Sequence, residues 1–510
     1  MKKVLFLFLL PFHIFSQTQT VGLFHNESSS FEGYTLFSPN QNTYLIDNCG
    51  RLIHSWTSLY KPGSSVYLLE DGSLLRPCRI QSSIFTGGGS GGRVEKYAWD
   101  NTLLWSYNFS DSTYHQHHDI HPMDNGNILL LCWERLNRIE AIDLGRDPNY
   151  LIDNELWTSY ILEVEPVGFD SINIVWEWHL KDHLIQDFDS TKNNFGIVKD
   201  NPQLIDINFF SGSGKKDWMH CNSISYNPVL DEILISSRSM SEIYIIDHST
   251  TTQQASSNIG GNHNKGGDII FRWGNPEVYN RGLTNDKKFF GQHDASWIPE
   301  GFIDGGKIMV FNNGQSRGYS SVDIINPLKD INGNYLFNND STFMPSALDW
   351  TYIDSIPQNF YSSYISGSQR LENGNTLICD GAYGRFFEID SQKNIVWDYI
   401  NPVLSNSILS QGDPIPISQN GTTNSVFRCT RFTYDYSAFN NRNLTPGSPI
   451  ELNPITFNCQ LSNSIIIDIL NDKKIIGVFD ILGRKTEQNS NGILLYLFSD
   501  GSVEKKMRIQ

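Results

Sequence analysis

The 510-residue sequence predicts an all-β chain, a six-bladed β-propeller followed by a small β-sandwich-like C-terminal domain. Three observations carry this. Aromatic residues are 13% of the chain, with 40 glycines and 20 prolines, a balance that suits short strands and tight turns. A turn bearing Asp, Asn or Gly recurs before an apolar strand, followed by a strand ending in Asp and one carrying Trp. Such an antiparallel unit cannot bury both faces alone, whereas a closed ring of units completes the core and hides the edges.

Five copies are read in full. EDGSLLRPC leads to RVEKYAWDNTLLWSYNF, and DNGNILLLCWE leads to IEAIDL and NIVWEWHL. DEILISSRS is followed by EIYIIDHS and DIIFRWGNP, GGKIMVFNNG by YSSVDIINP and ALDWTYI, and ENGNTLICDGAYG by RFFEIDSQKNIVWDYINP. The sixth blade is expected to combine YTLFSP, NTYLID and RLIHSW, between Tyr34 and Trp56, with the late strand NSVFRCTRF, so that the chain ends close the ring. Insertions at His179–Lys216 and Ser249–Gly267 make the spacing uneven.

The two ends read differently. Two lysines, an apolar run from Val4 to about Phe15 and a polar start at Gln17 mark residues 1–16 as a secretory signal peptide. No other run approaches the roughly 18 apolar residues of a membrane helix, so no transmembrane helix is expected and the mature chain should be exported. The propeller is placed at 17–445. After the Pro-rich LTPGSPIELNP, residues 446–510 form a separate small domain of short strands. The net charge of −17 argues against a nucleic-acid partner. Seven cysteines without CxxC spacing indicate neither a zinc site nor a disulfide framework, and most are expected to be small buried residues.

The stretch Asp217–Arg238, DWMHCNSISYNPVLDEILISSR, reads as a β-hairpin closed by a loop of about five residues. A turn centred on Val229 sets Tyr226 opposite Glu232, Ile224 opposite Leu234, Asn222 opposite Ser236 and His220 opposite Arg238. Imidazole, amide and guanidinium then share one sheet face, with Cys221 turned away. That combination suits an anion.

Aligned by their turns, several blades carry polar residues in one slot: His117, His118 and Asp119; His220 and Asn222; His293 and Asp294; Ser366 and Ser368. The innermost strand of each blade lines the axial channel, so equivalent slots converge on one pocket. Of the adjacent His117 and His118 only one can face the channel; His118 is preferred, and His121 is read as structural. Arg317 adds charge nearby, and the remaining histidines are assigned no role. Three imidazoles with an open position would suit zinc. Arg238 puts a permanent cation in the same pocket, which disfavours a bound metal, and no metal or cofactor is expected. The inventory fits nucleophilic catalysis on an anionic group better.

WMHCNSI with Arg238 eighteen positions after His220, HHDIHPMDNGN and GQHDASWIPEG together resemble the bacterial aryl-sulfate sulfotransferases that use no nucleotide sulfate donor. The resemblance implies ping-pong transfer of a sulfuryl group from an aryl sulfate donor to a phenol acceptor through a sulfohistidine. It implies His293 as nucleophile, with His220, Asn222 and Arg238 on the sulfuryl oxygens and His118 assisting. His117 and Ser366 are added as substrate-binding candidates. VFDILGRK and GILLYLFSDGSVEKKMRI in the tail resemble the C-terminal sorting domain of the type IX secretion system, which implies that secretion machinery as a partner and a cell-surface or extracellular product. Two other functions fit the same fold: an aryl sulfate hydrolase, and a non-catalytic propeller that binds a glycan or protein.

Overall fold

The computed structural model describes residues 18–209, 216–338, 342–455, 459, 475–480, 484–486, 492–498 and 503–508. The expected signal peptide and much of the expected sorting domain lie outside them. The chain divides into two compact units, Met1–Phe457 and Asn458–Gln510. In the second unit, Ile475–Asp480, Gly492–Phe498 and Val503–Arg508 form a three-stranded antiparallel sheet.

The first unit is a six-bladed propeller. Named from the inside outwards, blade 1 is Tyr67–Leu68, Leu74–Arg79, Gly92–Tyr97 and Leu103–Asn108. Blade 2 is Tyr114–Pro122, Ile128–Asn137, Glu155–Val167 and Ser171–His179. Blade 3 is Cys221–Asn227, Glu232–Ser237, Glu242–Asp247 and Ile269–Trp273. Blade 4 is His293–Trp297, Ile308–Asn312, Ser321–Ile325 and Trp350–Tyr352. Blade 5 is Gly367–Arg370, Thr376–Asp380, Arg385–Ile389 and Ile395–Ile400. It gains a fifth, outer strand, Gly22–Asn26, which the repeat did not reveal because it lies before the first copy.

Blade 6 closes the ring as expected: Cys429–Thr433 pairs with Gly33–Phe37, and Asn42–Ile46 and Leu52–Thr57 complete the sheet. A buried ion pair reinforces the closure, Arg431 Nη1 lying 2.5 Å from the Glu388 carboxylate of blade 5. Apolar strand faces fill the gaps between blades. Leu129, Ile161, Trp176 and Trp178 of blade 2 meet Ile233, Ile235 and Tyr244 of blade 3, and Leu184, Ile185 and Ile205 of the long insertion join the same cluster.

The hairpin of blade 3 departs from the expected register. Asn227 pairs with Glu232, so the loop is four residues and every pair from Tyr226↔Ile233 to Ser223↔Ser236 is offset by one from the expectation. The Asn227 side chain accepts hydrogen bonds from Val229 and Leu230 N–H, which tightens the turn. A bulge between Cys221 and Ser223 absorbs the offset, and Arg238 N–H donates to the His220 carbonyl at 3.2 Å. His220 therefore does lie opposite Arg238, by a route that strict alternation does not describe.

Cys78, Cys132, Cys221, Cys379 and Cys429 are free and buried. Cys49 and Cys459 are disulfide-bonded, although the cysteine spacing indicates no disulfide framework.

One polar knot ties all six blades at the axis. Arg428, just before the inner strand of blade 6, donates to Asp119 of blade 2 and Asp294 of blade 4, both at 2.6 Å. Tyr67 of blade 1 donates to Asp119 at 2.7 Å, and Arg428 also contacts the Tyr67 hydroxyl. Ile224 N–H of blade 3 donates to Asp119, and Ser368 N–H of blade 5 donates to Asp294. Burial works against the charge on Arg428, but Asp119, Tyr67 and Asp294 outweigh it and hold the guanidinium far above its usual range.

Candidate active site

One residue within or just before each of four inner strands has an uncommon backbone. His118, His220, Asp294 and Ser366 have φ of 52°, 47°, 52° and 85°, the left-handed region that costs a non-glycine residue about 1 kcal/mol or more. The recurring kink, together with bulges in blades 2, 3 and 4, sets where these side chains point. Two of them, His118 and His220, come together.

His118 and His220 meet edge to face, ring centres 4.7 Å apart. His117 lies under them, its Nδ1 2.8 Å from His118 Nδ1 and its ring stacked on Trp133 at 4.2 Å. Asp217 binds both walls: Oδ2 is 2.5 Å from His220 Nδ1 and Oδ1 accepts Trp133 Nε1–H at 2.9 Å. His293 is almost fully buried, with Nδ1 2.8 Å from Asn313 Oδ1. Asn313 donates both amide hydrogens to backbone, to Ser362 O at 2.8 Å and Ile365 O at 2.9 Å. Its oxygen must then face the ring, so His293 carries its proton on Nδ1 and leaves the lone pair on Nε2.

The electrostatics match. Burial, then Arg238 and His220, push His293 down to about 3, against the pull of its hydrogen bonds to Asn313 and the Gly291 backbone. His118 is pushed well below the usual range by burial and by His220, His117, His293 and Arg238. Burial likewise takes His117 to about 3. Arg238 is half-buried and lowered by burial, opposed by Asp217. Its guanidinium makes no hydrogen bond or salt bridge among the described residues, which leaves its donors available. Near neutral pH the cluster thus holds neutral imidazoles at His117, His118 and His293, with a fixed cation and a carboxylate. Among the described residues no group of three or more His, Cys, Asp or Glu side chains is arranged to hold a metal ion.

The glycine-rich run 86–92, TGGGSGG, lies against this cluster. A Cβ on Gly89 would stand 2.1 Å from the His118 ring, and one on Gly87 2.9 Å from Trp133. Gly88 alone has room, its nearest neighbour being His220 Cε1 at 3.8 Å. That run was in plain view in the sequence and pointed to a close backbone approach; Asp217, three residues before His220, was also legible. Trp133 and Asn313 carried no signal.

The other sequence candidates have these places. Asn222 is buried and donates to the carbonyl of Gln292, next to His293, tying blade 3 to blade 4. Ser366 is buried and hydrogen-bonded to Ser362 Oγ and to Gly381 N–H. Arg317 stacks on Phe290 and Tyr319 and binds Ser321 within its own blade. Asp119 and Asp294 belong to the knot. A cavity of about 1170 Å³ is lined by Tyr67, Asp294, Arg428 and strand positions beyond the slot such as His121 and Trp297, with none of the three slot histidines among its lining. The knot thus lies between the histidine cluster and this cavity.

Fold and site together give a six-bladed propeller with a cluster of histidines at its inner strands, beside an arginine unpaired among the described residues. The profile of the arylsulfotransferase (ASST) family matches residues 33–407, and the chain belongs to that family. Its function is of the sulfotransferase type, and the family implies aryl sulfate and phenol substrates. No curated protein matches the chain. Among solved structures, a protein of unknown function from Bacteroides caccae is 11% identical, with 79% of this chain and 99% of that one covered at a TM-score of 0.40. A virginiamycin B lyase from Staphylococcus aureus is 8% identical over 75% of this chain and 89% of that one, TM-score 0.32. Hydrazine synthase of Kuenenia stuttgartiensis is 14% identical over 57% and 66%, TM-score 0.32. Likenesses of that degree bear on neither chemistry nor substrate. No helix among the described residues is long and apolar enough to cross a membrane.

Proposed function

We propose that the protein moves a sulfuryl group from an aryl sulfate to a phenol in two half-reactions, with His293 as the group carrier. The observation that supports this most is the His293–Asn313 pair, because a neutral imidazole with its lone pair on Nε2 is a competent nucleophile. In the first half-reaction Nε2 forms a bond to sulfur, the bond from sulfur to the aryl oxygen breaks, and the phenol leaves. In the second, the acceptor oxygen takes the sulfuryl group and the electron pair returns to Nε2. Arg238 faces the charge that spreads over the sulfuryl oxygens, and His118 offers a further polar edge.

Mixing the protein with 4-nitrophenyl sulfate, quenching and analysing peptides by mass spectrometry tests this. The expected result is an added sulfuryl group on the peptide that holds His293, lost on addition of phenol and absent in His293→Asn. Steady phenol release with no transfer to an added phenol would favour a hydrolase, and a folded protein with neither adduct nor release would favour a binding propeller.

We further propose that the chain is exported and sorted to the cell surface or beyond by the type IX machinery through its tail. The basis is the tail's sequence resemblance. Expression of a chain lacking residues 446–510 in a bacterium with that machinery should leave the propeller in the periplasm; unchanged surface delivery would refute it.

A further inference from the structure

We infer that Asp217 is a positioning residue that makes His220 the proton donor to the departing phenol, an assignment that rests on the sulfuryl-transfer reading. The three slot histidines are alike in sequence and differ in their partners. Nδ1 of His293 faces the neutral amide of Asn313, and Nδ1 of His118 faces another imidazole. Nδ1 of His220 alone faces a carboxylate, at 2.5 Å.

Asp217 is held in place from both sides. Its second oxygen accepts from Trp133, whose ring is in turn stacked against His117, so the carboxylate cannot swing away without losing one bond or the other. Burial pushes its pKa up, but the contacts to His220, with His117 and Trp133 behind them, outweigh burial and keep it below the usual carboxylate range. An anion therefore stands against His220, on the side of the ring opposite the edge that is free. That edge is open: the His220 side chain is 18% exposed, whereas His118 and His293 are nearly fully covered. Among these histidines His220 is the one that both faces a fixed anion and can reach a bound molecule.

The protons balance. When the bond from sulfur to the aryl oxygen breaks, the electron pair left on that oxygen takes the Nε2 proton of His220, giving a neutral phenol and a neutral ring. In the second half-reaction the acceptor phenol returns a proton to the same nitrogen as its oxygen bonds to sulfur and the bond to His293 breaks. Asp217 stays ionised throughout, and no other co-reactant is needed.

Leaving-group dependence tests this, since a good leaving group needs little proton donation and a poor one needs much. Asp217→Asn keeps the shape and the bond from Trp133 but puts an amide against His220. Single-turnover phenol release should fall at least tenfold more for phenyl sulfate than for 4-nitrophenyl sulfate, a skew that general structural damage would not produce. If Asp217→Asn does not fold, Trp133→Phe releases one side of the carboxylate and should give the same skew at smaller size. Equal losses with both donors, or no loss, would overturn the role of Asp217. Absence of a His293 adduct in the unaltered protein, measured in the same samples, would instead overturn the sulfuryl-transfer reading on which it rests.

Discussion

His118, His220 and His293 are one residue type in three settings, and their partners decide what each can do. The amide of Asn313 is the sharpest case, because two backbone carbonyls take its hydrogens and leave its oxygen no choice of neighbour. Asn313→Ala frees the His293 ring to adopt either tautomer, takes the amide donor from the part-buried Ile365 carbonyl and leaves the buried Ser362 carbonyl only Ser320 Oγ at 3.4 Å. We expect the rate of sulfuryl uptake to fall by about 10²-fold or more, as orientation and tautomer errors do in other histidine catalysts, with stability reduced by about 1–3 kcal/mol. Nitrogen NMR of His293 reads the tautomer directly; an unchanged Nδ1–H spectrum with normal uptake would refute the argument. The sequence marked the three slot histidines and Arg238 because residue type and slot suffice for that. It did not mark Asn313 or Trp133, which lie on second strands of their blades or just beyond, where nothing in a single sequence distinguishes a ring's partner from an ordinary buried polar residue.

At the scale of the element, strand alternation was a sufficient guide to which segments pair and an insufficient one to where the site residues point. Alternation assumes an unbroken pleat. The inner strands of blades 2, 3 and 4 are bulged, and His118, His220 and Asp294 sit in left-handed backbone, which changes the direction of a side chain without changing the composition of the strand. In blade 3 the four-residue loop and the bulge cancel, so the expected pairing of His220 with Arg238 survives a register that is wrong between them. The glycine run 86–92 is the counterpart in blade 1. It closes the histidine cluster because a chain without Cβ atoms at 87 and 89 can lie on Trp133 and His118.

At the scale of the molecule, the axis is held by one cation between two carboxylates. Asp119 follows His118 and Asp294 follows His293, so the knot that joins the blades also fixes the backbone beside two of the site histidines. Arg428→Met would leave both carboxylates buried without their cation, and breaking such a pair costs about 3–5 kcal/mol. The sign of its pH dependence follows from the acids. Burial first, and Asp119 after it, already raise Asp294, while Arg428 lowers it. Without the cation Asp294 would rise further above its unfolded value, and a group so raised is stabilising at low pH and loses that contribution as pH climbs through its folded pKa. Chemical unfolding should therefore show a larger deficit for the variant at pH 8 than at pH 5. A deficit under about 1 kcal/mol, or one that grows on acidification, would refute the knot's part in closing the ring.

The sequence by itself determined the repeat, hence the blade count, the closure by the late strand and the convergence of the histidine slots, since periodicity and turn chemistry are local and a ring is the economical way to bury what recurs. Tertiary structure alone decided the outer strand of blade 5, the pairing of His293 with Asn313, the knot at the axis and the separation of the histidine cluster from the cavity beyond it. Those features join residues tens to hundreds of positions apart. Such contacts are selected by packing across blades, and packing leaves no periodic trace in the chain.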